Sequence, residues 1–577
     1  MPRGEVVFDL VTTLALPAGF QNATLEDLVP FYQELAERPL DDIEAWLTDW
    51  SNLEDLFAEA ATEASVAYDN DTADPDKEAA DLRFSSEISP QLEPWRVRLA
   101  QRLVESGYTR PELETTIRRF ANGIDLFREE NVPLVAEAQR LSSRFSKIQG
   151  GLLSEWEGEL VPPSRIRPHA GSADRSVRER AFRAFFRPFV EARDALADIF
   201  DELYDLRQAM ARNAGFENYR DYVHRAKNRF DYSPEDTMRF HDSVELTVVP
   251  VVERIYERRA RLMGVDRIRP WDAIDSHLAN PDVLGRPQLQ PFKDEEDLKA
   301  RTLAVFERVD PALAGYFRRL VETGMLDLMS RPGKAPGGYC TTFPIRATPY
   351  IFMNSSGVPG DIMTLLHEAG HAFHAFRTLE SQPLTWQRHY EMEMAEVASM
   401  SMELLGAPFM ERALGGFYNE ADAARARVDH LEEVLVVLAH VACVDAFQHW
   451  IYTNPGGRDR DQRDAQWLLI RERFQRGIDW SGCEAERVAR WYEQVHFFTY
   501  PFYYIEYGIA QVGAMQVWRN SLTDPAGAVA AYLRALSLGG SRPLPDLYAA
   551  AGASLTFEAG PMGELVGLVE EEIDRLA

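Results

Sequence analysis

The stretch Thr364-Leu-Leu-His-Glu-Ala-Gly-His-Ala-Phe-His374 decides how this sequence is interpreted, because it contains His367-Glu368-x-x-His371. On a helix, residues i and i+4 lie about 40° apart around the axis, so both imidazoles can reach one ion. Zinc accepts neutral imidazole nitrogens, and a catalytic zinc keeps one position open for water. A neighbouring carboxylate such as Glu368 can take the proton of that water. The pattern predicts a helix that carries two metal ligands and a general base.

The residues around this motif predict its local structure. Gly370 costs about 1 kcal/mol inside a helix without breaking it, and its small size predicts that another element approaches the helix closely. Asp361 is a predicted N-cap for the helix. Two runs rich in β-branched and aromatic residues, 339–343 and 349–353, predict short strands just before it.

A catalytic zinc site needs a third protein ligand, which the motif itself does not supply. The longer three-histidine motif is absent, because the position six residues after His371 is Arg377. His374 lies one turn beyond His371 but would crowd the same helix. The third ligand is therefore expected from another part of the chain.

A second predicted helix, over 391–403, offers the better candidates for this ligand. Its apolar and small residues suggest burial, and Glu393, Glu396 and Glu403 share one of its faces. Buried carboxylates need a partner, which a metal site provides. Periodicity does not choose among the three glutamates, and it leaves His389 open.

Another group of candidate residues lies near the C-terminus, in His496-Phe-Phe-Thr-Tyr-Pro-Phe-Tyr-Tyr-Ile-Glu-Tyr507. Tyr504 and Tyr507 are three residues apart, so on a helix both hydroxyls can point to one place. Amide hydrolysis develops an oxyanion, and tyrosine or histidine donors aimed at it lower the barrier. An aromatic helix packed in a core is the alternative, but a histidine beside several tyrosines favours a functional role.

Composition and charge limit the class of protein. The chain has 577 residues, of which 45% are hydrophobic and 27% charged, as in a globular protein long enough for more than one domain. Its net charge of -30 argues against general binding to nucleic acids or to anionic membranes. We therefore expect neither as a partner.

Cysteine usage and the absence of targeting patterns predict a cytoplasmic protein. The chain has three cysteines, Cys340, Cys443 and Cys483. They lie far apart and form no CxxC pair, which fits a reducing compartment without disulfides. The apolar run over 6–16 is interrupted by Asp9 and lacks a small-residue cleavage site, so we expect no signal peptide. The most membrane-like stretch, 434–444, is far too short for a span.

Helical patterns dominate the rest of the chain. Gly150-Gly151 and Pro162-Pro163 flank a stretch without helical periodicity, which predicts a small hairpin or loop. A soft boundary near 172–186 divides the chain into an N-terminal helical region, 1–185, and a catalytic region, 186–577.

Together these motifs resemble the thimet oligopeptidase/oligoendopeptidase F family of zinc metallopeptidases. The matching residues are His-Glu-Ala-Gly-His-Ala-Phe-His at 367–374, Ala-Glu-Val-Ala-Ser at 395–399 and His-Phe-Phe-x-x-Pro-Phe-Tyr-Tyr-x-x-Tyr at 496–507. Gly-Gly-Tyr-Cys at 337–340 and Tyr-Ile-Phe-Met-Asn at 350–354 are similar to the segment that precedes the zinc helix in this family. The similarity covers most of 110–577 and is strongest between 337 and 507.

The resemblance implies a mainly α fold, in which two helical lobes surround a deep substrate channel and a small β-sheet lies next to the zinc-binding helix. It implies one Zn²⁺ per chain, held by His367, His371 and Glu396. It also implies that Glu368 acts as the general base and later returns the proton. The substrates implied are short peptides.

By the same resemblance, His496, Tyr504 and Tyr507 bind substrate and stabilise the oxyanion. The gap between the histidine and the tyrosine pair is one residue shorter than in thimet-type members, and their glycine-rich mobile loop is missing. Tyr503 therefore stays an alternative to Tyr504, and a role for Tyr500 stays open.

The sequence thus predicts a zinc-dependent endopeptidase that hydrolyses internal bonds of short unfolded peptides. One alternative is a ferritin-like di-iron carboxylate protein, because Glu368-x-x-His371 and Glu493-x-x-His496 are two Glu-x-x-His motifs on predicted helices. Another is a catalytically inactive peptide-binding protein on the same fold.

Overall fold

The computed structural model of this protein describes residues 20–275 and 278–577. The described residues are mostly helical, and a small sheet lies beside the helix that carries the His-Glu-x-x-His motif. The predicted mainly α fold is therefore confirmed. The apolar run over 6–16, on which the expectation of no signal peptide depends, lies outside the described residues.

Helices follow one another along most of the described chain, and short strands interrupt them at two places. The α-helices of the first half are α1 (Leu25–Glu37), α2 (Ile43–Asn70), α3 (Pro75–Leu82), α4 (Ser89–Glu105), α5 (Glu114–Leu126), α6 (Val132–Gly150), α7 (Pro163–Ile166), α8 (Arg175–Glu191), α9 (Arg193–Asn213), α10 (Tyr219–Ala226), α11 (Pro234–Thr247) and α12 (Val249–Met263). Those of the second half are α13 (Glu295–Val309), α14 (Pro311–Thr323), α15 (Pro359–Ser381), α16 (Thr385–Arg388), α17 (Met392–Gly406), α18 (Glu420–Thr453), α19 (Arg460–Phe474), α20 (Glu484–Glu493), α21 (Val495–Phe498), α22 (Tyr504–Ser521), α23 (Pro525–Ser537), α24 (Leu544–Ala550) and α25 (Ala559–Leu576). The strands are β1 (Ser154–Trp156), β2 (Glu159–Val161), β3 (Leu326–Met329), β4 (Tyr339–Phe343) and β5 (Thr348–Ser355).

The chain forms two compact units, each built from separate stretches of sequence. The described residues of unit 1 belong to Met1–Asp125, Gln290–Glu420 and Gly513–Leu555. Those of unit 2 belong to Leu126–Leu289, Ala421–Val512 and Thr556–Ala577. Both units are helical. The domain division predicted from the sequence, 1–185 and 186–577, stays a prediction; its boundary falls inside helix α8.

The small sheet of unit 1 has three strands in the order β3-β5-β4. Strand β4 pairs antiparallel with β5, while β3 pairs parallel with it. Both predicted strands are found, and β5 extends beyond the predicted 349–353 at each end. Helix α15 packs against β4 and β5. The sheet therefore supports the helix that carries the motif.

The stretch predicted to be a small hairpin or loop forms a hairpin in unit 2. Strands β1 and β2 pair antiparallel, and the two residues between them, Glu157 and Gly158, have φ values of 50° and 88°. Two consecutive positive φ values are typical of the tight turns that join antiparallel strands.

The predicted N-cap of α15 is wrong. The helix begins at Pro359 with Val358 as its N-cap, because proline is favoured in the first turn. Asp361 lies two residues inside the helix. Its Oδ2 accepts hydrogen bonds from the backbone amides of Ser356, Gly357 and Val358, at 2.8, 2.7 and 2.9 Å. The carboxylate thus satisfies the amides before the helix from within the first turn.

Helix α18 is, among the described residues, the one helix long and apolar enough to pass a length and composition test for a membrane span. It contains the stretch 434–444. Of its most apolar window, 78% is buried inside the protein. Burial inside the protein therefore accounts for its hydropathy.

Helices α15 and α17 approach each other closely at Gly370, which is the close approach predicted from the small size of this residue. A Cβ atom at this position would lie 2.5 Å from the carbonyl oxygen of Ala398 and 2.6 Å from Cα of Ser399. Both are backbone atoms, so a side-chain rotation cannot make room. Only glycine allows this separation of the two helices.

We predict that Gly370→Ala destabilises unit 1. The added methyl group clashes with backbone, and overpacking of this kind costs about 2–3 kcal/mol, more than the helix propensity that alanine restores. Thermal unfolding of the variant should show a lower Tm than wild type.

Gly315→Ala is the matched control, because Gly315 is also helical and a Cβ there meets no atom within 4 Å. Alanine at this position should leave Tm unchanged or raise it slightly, by up to about 1 kcal/mol of stability. Equal effects of the two substitutions would contradict the packing argument.

Candidate active site

Helices α15 and α17 bring His367, His371 and Glu396 together in unit 1. The Nε2 atoms of His367 and His371 lie 3.3 and 3.6 Å from Oε2 of Glu396. One ligand atom from each of the three residues lies within 4.8 Å of the others. The structure thus groups the two histidines of the motif with the glutamate that the resemblance selected.

This donor set fits a zinc ion. Ligand atoms about 2.0–2.2 Å from one tetrahedral zinc are about 3.3–3.6 Å apart, and both distances to Glu396 lie in this range. Two imidazoles and one carboxylate also make up a known set of catalytic zinc ligands, which leaves a position open. Glu396 is buried, yet its neighbours His371 and His367 outweigh burial and lower its pKa to about 2. It is therefore an anion that needs a cation nearby.

Glu403, one of the glutamates left open by the sequence, orients the ring of His367. Its Oε1 lies 2.7 Å from Nδ1 of His367 and accepts a hydrogen bond from that nitrogen. This hydrogen bond fixes Nδ1 of His367 as the donor to Glu403 and directs Nε2 at Glu396, where a metal cation can take the place of the Nε2 proton. Burial alone would lower the pKa of His367, but the hydrogen bonds to both glutamates raise it well above its usual value.

The second histidine, His371, has no such carboxylate on its other nitrogen among the contacts of the described residues. Burial lowers its pKa to about 4. The imidazole is therefore neutral at physiological pH, the form that binds a metal.

Glu368 follows His367 on the same helix and is buried. Burial raises its pKa to about 7. A carboxyl group with a pKa near the working pH can both accept and return a proton. This property matches the role predicted for it.

The remaining candidates from the motif region lie apart from the ligand cluster. His374 is buried and stacks on the ring of Tyr390, with 3.5 Å between the ring centroids. Glu393 is buried on α17, and His389 follows the last residue of α16. Among the described residues, none of the three joins the ligand atoms grouped above.

The C-terminal candidates form their own cluster in unit 2. The ring centroid of His496 lies 4.6 Å from that of Tyr504 and 6.2 Å from that of Tyr507. Helix α22 begins at Tyr504, so both tyrosines lie in its first turn, with 5.5 Å between their centroids. Nε2 of Gln494 lies 2.7 Å from Nδ1 of His496 and orients the ring.

The alternative tyrosine, Tyr503, lies just before α22. Its ring centroid is 5.9 Å from that of His496 and 5.0 Å from that of Tyr507. Tyr504 is buried, which raises its pKa to about 12, whereas Tyr503 and Tyr507 are half-buried. Tyr500 is 57% exposed. The cluster therefore contains three tyrosines that can donate a hydrogen bond, of which Tyr504 is the least exposed.

The di-iron alternative requires both Glu-x-x-His motifs to lie on helices. Glu493 is the last residue of α20, whereas His496 belongs to α21. Gln494 between them has φ of -73° and ψ of 102°, which is extended. The second motif is thus divided between two helices, and the structure does not support a ferritin-like site.

Unit 2 contains a further buried group that the sequence analysis missed: His241, Asp445 and His449. Oδ2 of Asp445 accepts a hydrogen bond from Nε2 of His241 at 2.8 Å and lies 3.3 Å from Nε2 of His449. The first distance is that of a hydrogen bond and is shorter than two ligands of one zinc allow. We interpret the group as a hydrogen-bonded link between α11 and α18. His241 lies 204 residues before Asp445, so the sequence shows only Asp445-x-x-x-His449 as a local pattern.

Comparisons with known proteins support these observations. The sequence profile of peptidase family M3 matches residues 169–562, and that of the peptidase M3 N-terminal domain matches residues 19–125. The solved structure of PZ peptidase A with inhibitor 2 is similar over 96% of this chain and 98% of that chain, with 28% identity and a TM-score of 0.87.

Two curated relatives are similar over part of their length. Oligopeptidase PepF of Bacillus subtilis (strain 168) is 22% identical over 70% of this chain and 58% of its own length. The oligoendopeptidase F homolog of Borreliella burgdorferi is 20% identical over 67% of this chain and 63% of its own length. The chain thus matches less than two thirds of each relative. The family profile, however, matches more than half of the chain, which confirms the resemblance noted from the motifs: the chain belongs to peptidase family M3.

Proposed function

We propose that this protein is a zinc-dependent endopeptidase that hydrolyses internal bonds of short, unfolded peptides. The observation that carries the proposal is the convergence of His367, His371 and Glu396 on one point, with Glu368 beside them. Membership of peptidase family M3 supports this reaction class. The relative from Bacillus subtilis is named an oligopeptidase, which supports short peptides as substrates.

In this mechanism the metal ligands are His367, His371 and Glu396. One bound Zn²⁺ would act as a Lewis acid and lower the pKa of water to about 7. Glu403 holds the ring of His367 through Nδ1, so the Nε2 lone pair stays directed at the site. Glu368 takes the proton of the attacking water and then gives it to the leaving amine, so the peptide bond breaks without net proton loss.

We also propose, from the resemblance, that His496, Tyr504 and Tyr507 bind the substrate and donate hydrogen bonds to the oxyanion. Their mutual proximity in unit 2 supports a shared role. Tyrosine O–H and histidine N–H donors that are already held in place stabilise the oxyanion without having to reorganise during the reaction.

Strand β4 offers a way to bind a peptide backbone. It lies at the edge of the sheet, pairs with β5 on one side and packs near α15. An extended peptide that adds to such an edge is held by backbone hydrogen bonds, so recognition is largely independent of side chains. We propose that a substrate peptide binds along this edge.

We also propose a cytoplasmic location, in line with the three free cysteines.

We predict that Glu368→Gln keeps zinc but loses activity. The amide is isosteric but cannot accept a proton, so cleavage of a short quenched peptide should fall by about 10²–10⁴-fold. Zinc content by plasma emission should stay at one per chain. Full activity in this variant would refute the assigned base, and two irons per chain would restore the di-iron alternative.

Glu396→Gln should instead lose the metal, because a neutral amide replaces the anionic ligand. Glu393→Gln is the matched control, since Glu393 is buried on the same helix but outside the ligand cluster. We expect it to retain zinc. Metal loss in both variants would mean that the loss of a buried carboxylate, and not of a metal ligand, explains the effect.

Peptide binding without turnover by the wild-type protein would favour the alternative of a catalytically inactive peptide-binding protein.

Glu403→Gln should weaken zinc binding without abolishing catalysis. Loss of the carboxylate that orients His367 is expected to lower zinc affinity about 10–100-fold. Activity should return when zinc is in excess. A chelator titration monitored by peptide cleavage measures this shift. An unchanged midpoint would show that Glu403 does not act through His367.

Removal of single tyrosine hydroxyls should distinguish the oxyanion donors. Tyr504→Phe and Tyr507→Phe are expected to lower kcat by about 10²-fold or more with little change in KM. Tyr503→Phe, half-buried beside them, serves as the comparison and should stay close to wild type. The reverse result for Tyr503 and Tyr504 would transfer the donor role to Tyr503.

A further inference from the structure

Helix α19 of unit 2 carries a buried arginine, Arg471, whose side chain is 1% exposed. Among the described residues, no oxygen accepts a hydrogen bond from its Nε or its Nη1. The rings of Trp467 and Trp480 flank the guanidinium, with Cζ at 5.3 and 5.1 Å from their centroids. These rings stabilise a cation through their faces, but they leave its N–H donors unused.

Arg463, about two turns earlier on the same helix, shows how a buried arginine finds partners through its terminal nitrogens, although its Nε also lacks an acceptor among the described residues. It is fully buried and donates to the carbonyl oxygens of Gly457 and Arg458, at 3.0 and 2.9 Å. It also donates to Oδ1 of Asp201 at 2.5 Å. Nε and Nη1 of Arg471 have neither kind of partner among the described residues, and Asp275, the carboxylate that acts on its charge, is paired with Arg490.

The neighbouring arginines do not leave a carboxylate for Arg471. Nη1 of Arg487 lies 3.5 Å from Oε1 of Glu472, and Arg490 forms an ion pair with Asp275. These two pairs are each neutral overall. The local surplus is therefore the one positive charge of Arg471.

The nearby thiol of Cys443 does not supply the missing negative charge. Burial raises its pKa to about 12, so it stays a neutral thiol. Burial and the charges of Arg490 and Arg487 lower the pKa of Arg471 to about 9. The guanidinium therefore remains protonated at neutral pH, at a cost that a bound anion would offset.

A small cavity lies beside this guanidinium. It has a volume of about 30 Å³ and is lined by Arg471, Trp480 and the ion pair of Arg490 with Asp275, and by apolar side chains such as Val252 and Val436. Nε1 of Trp480 is buried and has no acceptor among the described residues. A volume of about 30 Å³ corresponds to a single water molecule, or to a monatomic ion of similar size.

We propose that this cavity binds one small monovalent anion of the halide type, such as chloride, between the guanidinium of Arg471 and the indole N–H of Trp480. The anion accepts from three N–H donors and neutralises one positive charge. The volume and the single surplus charge both favour a monovalent ion. A water molecule is the alternative occupant, because Gln475, whose Oε1 also lacks a donor, lines the same cavity.

Bromide tests the site directly. Crystals of the full chain grown with bromide in place of chloride should show an anomalous peak within hydrogen-bond distance of the Arg471 guanidinium. The peak should be absent in Arg471→Met. Density without anomalous signal at this position in the wild-type protein would identify water and overturn the proposal.

Stability in solution gives a second test that does not depend on peptidase activity. At constant ionic strength set with gluconate, chloride should raise Tm of the wild-type protein by about 1–2 °C for each tenfold increase above the dissociation constant. Arg471→Met should lose this response. Arg254→Met removes an exposed arginine of the same unit and should keep it.

Trp480→Phe keeps the test decisive if Arg471→Met does not fold. This variant retains the ring beside the guanidinium and removes only the N–H donor. Its chloride midpoint should move to a higher concentration, by about tenfold for one lost hydrogen bond to a charge. A chloride response that is the same in the wild type and Trp480→Phe, and in Arg471→Met where it folds, would overturn the proposal.

Discussion

The contact of α15 with α17 at Gly370 is the constraint on which the site in unit 1 depends. The backbone of Ala398 and Ser399 occupies the space that any side chain at Gly370 would need. His367 and His371 lie one turn apart on one helix, and Glu396 lies on the other. Because the backbones of α15 and α17 are in contact, the side chains of the two histidines and of Glu396 can reach the same point. The glycine thus sets the distance from Glu396 to the two histidines, which the motif alone does not fix.

Much of the fold and of the site in unit 1 follows from the sequence, because the signals there are local. The motif His367-Glu368-x-x-His371 encodes its own geometry through the helical repeat. The strands beside it were visible from composition. Periodicity did not choose among Glu393, Glu396 and Glu403, because all three share a face. The family resemblance selected Glu396, and the packing of α17 on α15 places it beside the two histidines.

Some features that sequence analysis missed are local details of helix ends, and others depend on partners far apart in the chain. Asp361 was predicted as an N-cap, but the helix begins earlier, at Pro359. The carboxylate of Asp361 accepts hydrogen bonds from the amides before the helix while lying in its first turn. The Glu493-x-x-His496 pattern looked helical, yet Gln494 breaks it. Arg471 carries no motif at all. Nε and Nη1 of its guanidinium lack hydrogen-bond acceptors among the described residues, and this can be recognised only from the positions of the surrounding residues in the structure.

The two notable sites are buried charge imbalances of opposite sign. Around His367, carboxylates outnumber cations: Glu396 and Glu403 both face one imidazole, and this arrangement favours a metal cation. Around Arg471, the nearby carboxylates are already paired, and this arrangement favours an anion. An overall charge of -30 does not predict either site, since solvent screens surface charge but not charge inside a low-dielectric interior. Local charge balance among buried groups is therefore the better guide to the ion that we propose for each unit.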